Sequence, residues 1–262
     1  MSLPSGEAEA LVDATAGVQL RSTMFASPYL EVSGISDPRF ETNLRLLELS
    51  RERAGDRTVV AYLQTMSRYM HDGSAAAAGI ALAAAGAEVI VIRIRRFSPE
   101  TATAQNLFAY AQLVAAIEGT RAVAVTDAVG RLGPVLVACG ADGFSSGSFH
   151  FRSVPDDLCP SGGGGNLMPL SWEIPDGFAS APRGHTAATA PGWVRCSYPK
   201  CPAPTGAESE VAVRTHNLHE LKTQARLAAA EGLAYAARLR AAGPGYPAEW
   251  AAVLERLQQL AA

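Results

Sequence analysis

A chain of 262 residues, with 48% hydrophobic and only 18% charged residues, can bury a full core and is too apolar to be disordered as a whole. A net charge of −3 and a pI near 6.0 give no global basic field that would advertise nucleic-acid binding. The longest apolar stretch, residues 75–94, is broken by Gly79, Gly86, Glu88 and Arg93, so it reads as a helix followed by a strand and not as a membrane span.

The N-terminal MSLPSGEAEALVDA is acidic and lacks the basic start and apolar core of a secretory signal. Four cysteines without such a signal point to reduced thiols in a soluble, cytoplasmic protein. Lys200 and Lys222 are the only lysines, so arginine carries nearly all of the positive charge.

In chain order, Thr23 to Val32 reads as a strand and Asp37 to Arg53 as an amphipathic helix with Phe40, Leu44 and Leu47 on a helical period. Gly55-Asp56 breaks that pattern. A strand over Thr58 to Met66, a helix over Ser74 to Ala85 and the β-branched strand Glu88 to Ile94 follow. Residues 100–117 return to helical spacing. Arg121 to Thr126 is a further strand, Leu132 to Ala138 a short helix and Gly143 to Arg152 another strand. Strands alternating with helices predict βαβ units and a parallel sheet, either doubly wound or closed as a (β/α) barrel. No internal repeat separates the two, and no GxGxxG follows the early strands.

Residues 153–191 carry six prolines and the run SGGGGN at 161–166, and are expected to form a long loop or lid. A short strand over Trp193 to Tyr198, a strong helix from His216 to Ala241 and a last helix from Pro247 to about Ala261 complete the chain.

Reactive side chains in parallel α/β proteins lie where strands end. Reading those ends gives Glu31, Gln64 with Ser67 and Arg68, the arginines 93, 95 and 96, Asp127, and Ser145 with Ser146. Asp127 is the best-placed lone carboxylate, or else an N-cap for the next helix. The arginines suit a phosphate or carboxylate, or else pair with loop acids. Cys196 and Cys201, with His216 and His219 behind them, offer thiolate and imidazole ligands for zinc.

The segments CSYPKC and THNLHELKTQARLAAAEG resemble the zinc segment of tRNA-guanine transglycosylases, which exchange a guanine in tRNA for a 7-deazaguanine. Cys196, Cys201 and His216 fall on three of that family's ligand positions, and Tyr198 stands at a fourth. CGADGFSSGSFHF resembles the strand that bears the family's nucleophilic aspartate: Gly140, Asp142 and Phe144 match, and Ser145 occupies the nucleophile's place. VVAYLQT resembles the strand with the base-recognising glutamine, which makes Gln64 its equivalent.

The resemblance implies a TIM-barrel-like domain over residues 24–241, incomplete at its N-terminus. Residues 1–23 would be an extension and 242–262 a C-terminal helix. It implies zinc as cofactor, with Tyr198, His219, Cys159 or water as fourth ligand. Gln64, Arg95 and Arg96 would meet substrate, and Ser145, Asp127 and Asp142 would stand at the catalytic positions. The partners implied are tRNA or another nucleic acid, a second copy, or a catalytic subunit, with no membrane. Because serine replaces the nucleophile and the family's second aspartate segment has no counterpart, the expected protein is a non-catalytic or altered-chemistry relative. The alternatives are a nucleobase-processing enzyme using other carboxylates and an unrelated small-molecule-binding α/β protein.

Overall fold

Four strand–helix units in succession, closed by a fifth strand, build an all-parallel sheet in the unbroken order β1-β2-β3-β4-β5. The computed structural model describes residues 4–97, 102–127, 129–145, 171–174, 179–182, 210–242 and 245–261. Helix α1 (Ser5–Val18) precedes β1 (Met24–Ala26). Then come α2 (Pro38–Ala54), β2 (Thr58–Met66), α3 (Ser74–Ala84), β3 (Val89–Arg95), α4 (Ala104–Glu118), β4 (Val123–Thr126), α5 (Gly133–Ala138) and β5 (Gly143–Phe144). The order never reverses, so these strands form no switch-point crevice of the doubly wound kind.

Right-handed crossovers between neighbouring strands place every connecting helix on one face. Alternation along β3 records this directly. Ile90, Ile92 and Ile94 are buried against the helices, whereas Val89, Val91, Arg93 and Arg95 are half-buried on the other face. Ile117 of α4 lies so close to Gly79 of α3 that a Cβ there would press on its side chain at 2.6 Å, with Leu63 of β2 in van der Waals contact.

The free edge of β1 is closed by side chains. Ser27 N–H donates to Val60 on the β2 side at 2.8 Å, so the polar groups of Met24 and Ala26 point away from the sheet. The Gln19 carboxamide takes both groups of Ala26, donating to its carbonyl at 3.1 Å and accepting from its N–H at 2.8 Å. Ser22 Oγ accepts from Met24 N–H at 3.2 Å. Two side chains thus occupy the positions of a neighbouring strand, a protection that edge strands require.

The structure also exposes a short repeat. Leu82–Glu88 and Leu136–Asp142 share the pattern L-x-x-x-G-A-acid, and both turn a helix into the next strand. Gly86 (φ 94°) and Gly140 (φ 107°) take the left-handed turn. The acid then clasps the preceding strand twice. Glu88 N–H donates to Val59 O, and its carboxylate accepts from Val59 N–H at 2.8 Å. Asp142 does the same with Ala124, its carboxylate accepting at 2.8 Å. Seven residues of which only four are identical do not register as a repeat by eye.

After the sheet, β6 (Ser171–Ile174) and β7 (Ala179–Pro182) form an antiparallel pair within the stretch expected to be a loop. The expected single helix from His216 is α6 (Glu210–Glu231), a 3-10 turn (Gly232–Tyr235) and α7 (Ala236–Ala241). Gly232, at φ 54°, interrupts it. Helix α8 (Tyr246–Ala261) buries Trp250 completely and packs on α4 and α7. No helix among the described residues is long and apolar enough to cross a membrane.

Removing the β1 edge cap tests this architecture. Gln19→Ala should lower unfolding free energy by about 1 kcal/mol and introduce concentration-dependent association in sedimentation velocity. Unchanged values for both would show that the edge needs no cap.

Candidate functional site

Parallel pairing puts the carboxyl ends of all the strands at one rim. Gln64 pairs with Arg93 in the β2–β3 register. Asp127 N–H donates to Ile92 O at 2.9 Å, and Ser145 N–H to Thr126 O at 2.8 Å. Gln64, Arg93, Asp127 and Ser145 therefore stand at one level on the face away from the helices. Below them lies a second row of Tyr62, Val91, Val125 and Gly143.

The expected strand Thr23 to Val32 ends at Ala26, because Pro28 carries no N–H for the ladder. The chain bulges away and rejoins β2 where Val32 N–H donates to Gln64 O at 3.0 Å. This bulge swings Tyr29 and Glu31 over the rim. Asn43, buried on α2, holds the bulge by accepting from Leu30 N–H at 2.7 Å and donating to Leu30 O at 2.9 Å.

Asp37 fixes the far end of the same loop and caps α2, with Pro38 at the first helical position. Its carboxylate accepts from Ser33 N–H and Oγ, from Arg39 N–H and Nε, and from Arg39 Nη2 at 2.6 Å. The Arg39 guanidinium, helped by the Ser33 and Arg39 amides, holds the Asp37 carboxyl far below the usual carboxylate range despite its burial.

At the rim, polar side chains join into one chain of contacts. Arg95 Nη1 donates to Glu31 Oε2 at 2.8 Å, and Gln64 Nε2 donates to the same oxygen at 3.2 Å. Tyr29 OH donates to Gln64 Oε1 at 3.3 Å and accepts from Arg93 Nη1 at 3.1 Å. Arg93 meets Asp127 Oδ2 through Nε at 2.6 Å and Nη2 at 2.5 Å. The Ser145 hydroxyl donates to the other oxygen of Asp127. Tyr29 and Tyr62 stack at 4.7 Å between ring centres, and the Arg93 guanidinium lies 5.5 Å from the Tyr62 ring.

Burial pulls the Arg93 pKa down, but the hydrogen bonds and charge of Asp127 outweigh it and leave the guanidinium above its ordinary value. Burial raises the Tyr62 phenol, opposed by Arg93. With a carboxylate for each arginine, Arg93 and Arg95 leave the rim close to neutral.

Of the residues predicted from sequence, the rim brings together Gln64, Arg95, Asp127 and Ser145, with Glu31 and Arg93. Arg96 follows β3 as an exposed residue with positive φ (54°), and its carbonyl accepts from Ser67 Oγ at 3.2 Å. Asp142 lies at the opposite end of the sheet, before β5, engaged with Ala124. His216 is buried on α6 at 1% exposure, while Cys196 and Cys201 lie outside the described residues. Among the described residues, no three His, Cys, Asp or Glu side chains form a metal-binding group. Sequence reasoning missed Tyr62, Tyr29, Asn43 and Asp37. Tyr62 was accessible, since it precedes Gln64 by the two-residue period of one sheet face.

No protein-family model matches the chain, and no curated protein does.

The Asp37 cluster gives the rim a pH signature. Its folded pKa lies below the unfolded value near ~3.9, so its stabilisation is complete above that pH and is lost as pH falls below it. Asp37→Asn should cost about 1 kcal/mol at neutral pH and flatten the fall of melting temperature below pH ~4. A variant with the unaltered acid slope would remove Asp37 from this role.

Proposed function

We propose that this chain is a tRNA-guanine transglycosylase-like protein, built on a (β/α)-barrel-type sheet, that binds RNA at the strand rim without exchanging a base on its own. The observation that carries this reading is the convergence of Gln64, Glu31, Arg93, Arg95 and the stacked tyrosines on one rim. Amide and carboxylate suit the edge of a purine, aromatic faces suit its plane, and arginines suit phosphate.

The same geometry argues against exchange through Ser145. A serine nucleophile needs a base that removes its proton in the transition state. The hydroxyl of Ser145 faces Asp127, whose carboxylate is a weak base and is already bound by Arg93 through its second oxygen. A catalytic partner subunit of different sequence would supply the nucleophile. With tRNA as its ligand, such a protein would act in the cytoplasm.

On this reading Cys196, Cys201 and His216 hold a zinc ion that ties α6 to the segment before it. The burial of His216 suits a structural metal. Zinc would stabilise this part of the chain, and nothing at the rim depends on it.

A second reading, altered chemistry through Asp127, is favoured by the contact between Asp127 and Ser145. Fluorescence anisotropy with labelled tRNA, alongside incorporation of labelled guanine, separates the two. RNA binding should weaken on the order of tenfold or more between 50 and 200 mM salt, and should weaken again in Gln64→Ala, with no label incorporated. Incorporation that disappears in Asp127→Asn would establish the second reading. No binding at low salt would overturn both.

A further inference from the structure

A cavity of about 440 Å³ lies between α5, β5 and α6, within the size range of small-molecule sites. Val137 and Phe144 line it from one side, and Leu218, Leu221 and Ala225 from α6. Lys222 and Arg226 complete the α6 wall.

Helix α6 presents two unlike faces. Its buried side is polar, with His216, Asn217, Glu220 and Gln224 all under a tenth exposed. Gln224 donates to Glu220 at 2.9 Å and accepts from Tyr235 OH at 2.8 Å. The apolar stripe faces the cavity, where Leu218 remains 49% exposed. An apolar stripe lining an open hollow, on a helix that buries four polar side chains on its other side, departs from the arrangement that burial favours.

Two cations stand close together on that wall. Lys222 and Arg226 are exposed and four residues apart, a mutually repulsive helical spacing. Among the described residues neither has an ion pair or a hydrogen bond. Arg93, Arg95, Arg238 and Arg240 each meet a carboxylate. Among the described residues of the lining, the acid is Asp142, which is on the β5 side and engaged by Ala124 N–H.

We infer that this cavity binds a small amphipathic organic acid, with its apolar body against Phe144, Val137 and the α6 leucines and its anionic head at Lys222 and Arg226. An anion there relieves the repulsion between the two cations and keeps its charge on the wall away from Asp142. The apolar body covers Leu218. This site is independent of the RNA role proposed for the rim.

Calorimetric titration of the full chain with decanoate and with decanol tests it. Decanoate should bind one to one and more tightly than decanol. The double variant Lys222→Gln/Arg226→Gln should weaken decanoate about tenfold or more and leave decanol unchanged. Ala225→Trp should abolish binding of both by filling the hollow. Should that variant melt early, the exposed double variant decides alone, since it touches no core residue. Absent or non-saturable decanoate binding, equal affinity for acid and alcohol, or decanoate affinity unmoved in the double variant would each overturn the proposal.

Discussion

The Arg93–Asp127 pair is the contact on which the rim depends. Two strand ends of opposite charge sit side by side on a half-buried face, with their side chains only 24% and 17% exposed. Neither would rest there alone, because a charge withdrawn from water must be paired or neutralised. Once paired, Arg93 still has Nη1 to direct at Tyr29, and Asp127 still has an oxygen for Ser145. The pair thereby connects the bulge after β1 to the end of β5, across the full width of the sheet.

This connection sets what the rim can do. Tyr29 accepts from Arg93, so its proton goes to Gln64, and the Gln64 amide is turned with its nitrogen toward Glu31. The orientation of a buried amide thus follows from a guanidinium that never touches it. The donor and acceptor roles of these groups are thus fixed by one another. A ligand that displaces any of these contacts must replace it, since unmet buried polar groups are costly. The same completeness works against Ser145 as a nucleophile: a site whose charges already satisfy each other is suited to holding a ligand more than to attacking it.

The sheet was legible in the sequence where its chemistry is local. The run TVVAYLQTM has the composition of a strand and is one, residue for residue, and VIVIRIR differs from expectation by one position at each end. The candidate rim residues followed because strand ends in a parallel sheet share one side, so Gln64, Arg93, Asp127 and Ser145 could be collected without knowing their distances. What the sequence hid depends on contacts far along the chain. Pro28 announces that β1 is broken, but only Asn43 and Val32 determine that the break becomes a bulge carrying Tyr29 to Gln64. Asp142 became a catalytic candidate only through the family resemblance, yet it precedes its strand and serves the opposite end of the sheet. The likeness of Leu82–Glu88 to Leu136–Asp142 becomes visible only when both acids are seen clasping the strand before them.

The two candidate surfaces differ in how their charge is balanced, and that difference assigns their roles. At the rim Arg93 and Arg95 each have a carboxylate, so a phosphate there competes with Asp127 or Glu31 for its arginine. On α6 the cations Lys222 and Arg226 have no ion pair among the described residues and stand beside an apolar hollow. A ligand at the rim must therefore exchange contacts that already exist, which favours selectivity over strength. A ligand at α6 has uncompensated charge and uncovered apolar surface to satisfy, so charge and hydrophobic contact both favour its binding. In a chain of net charge −3, attraction for an anion comes from local clusters of cations such as Lys222 with Arg226.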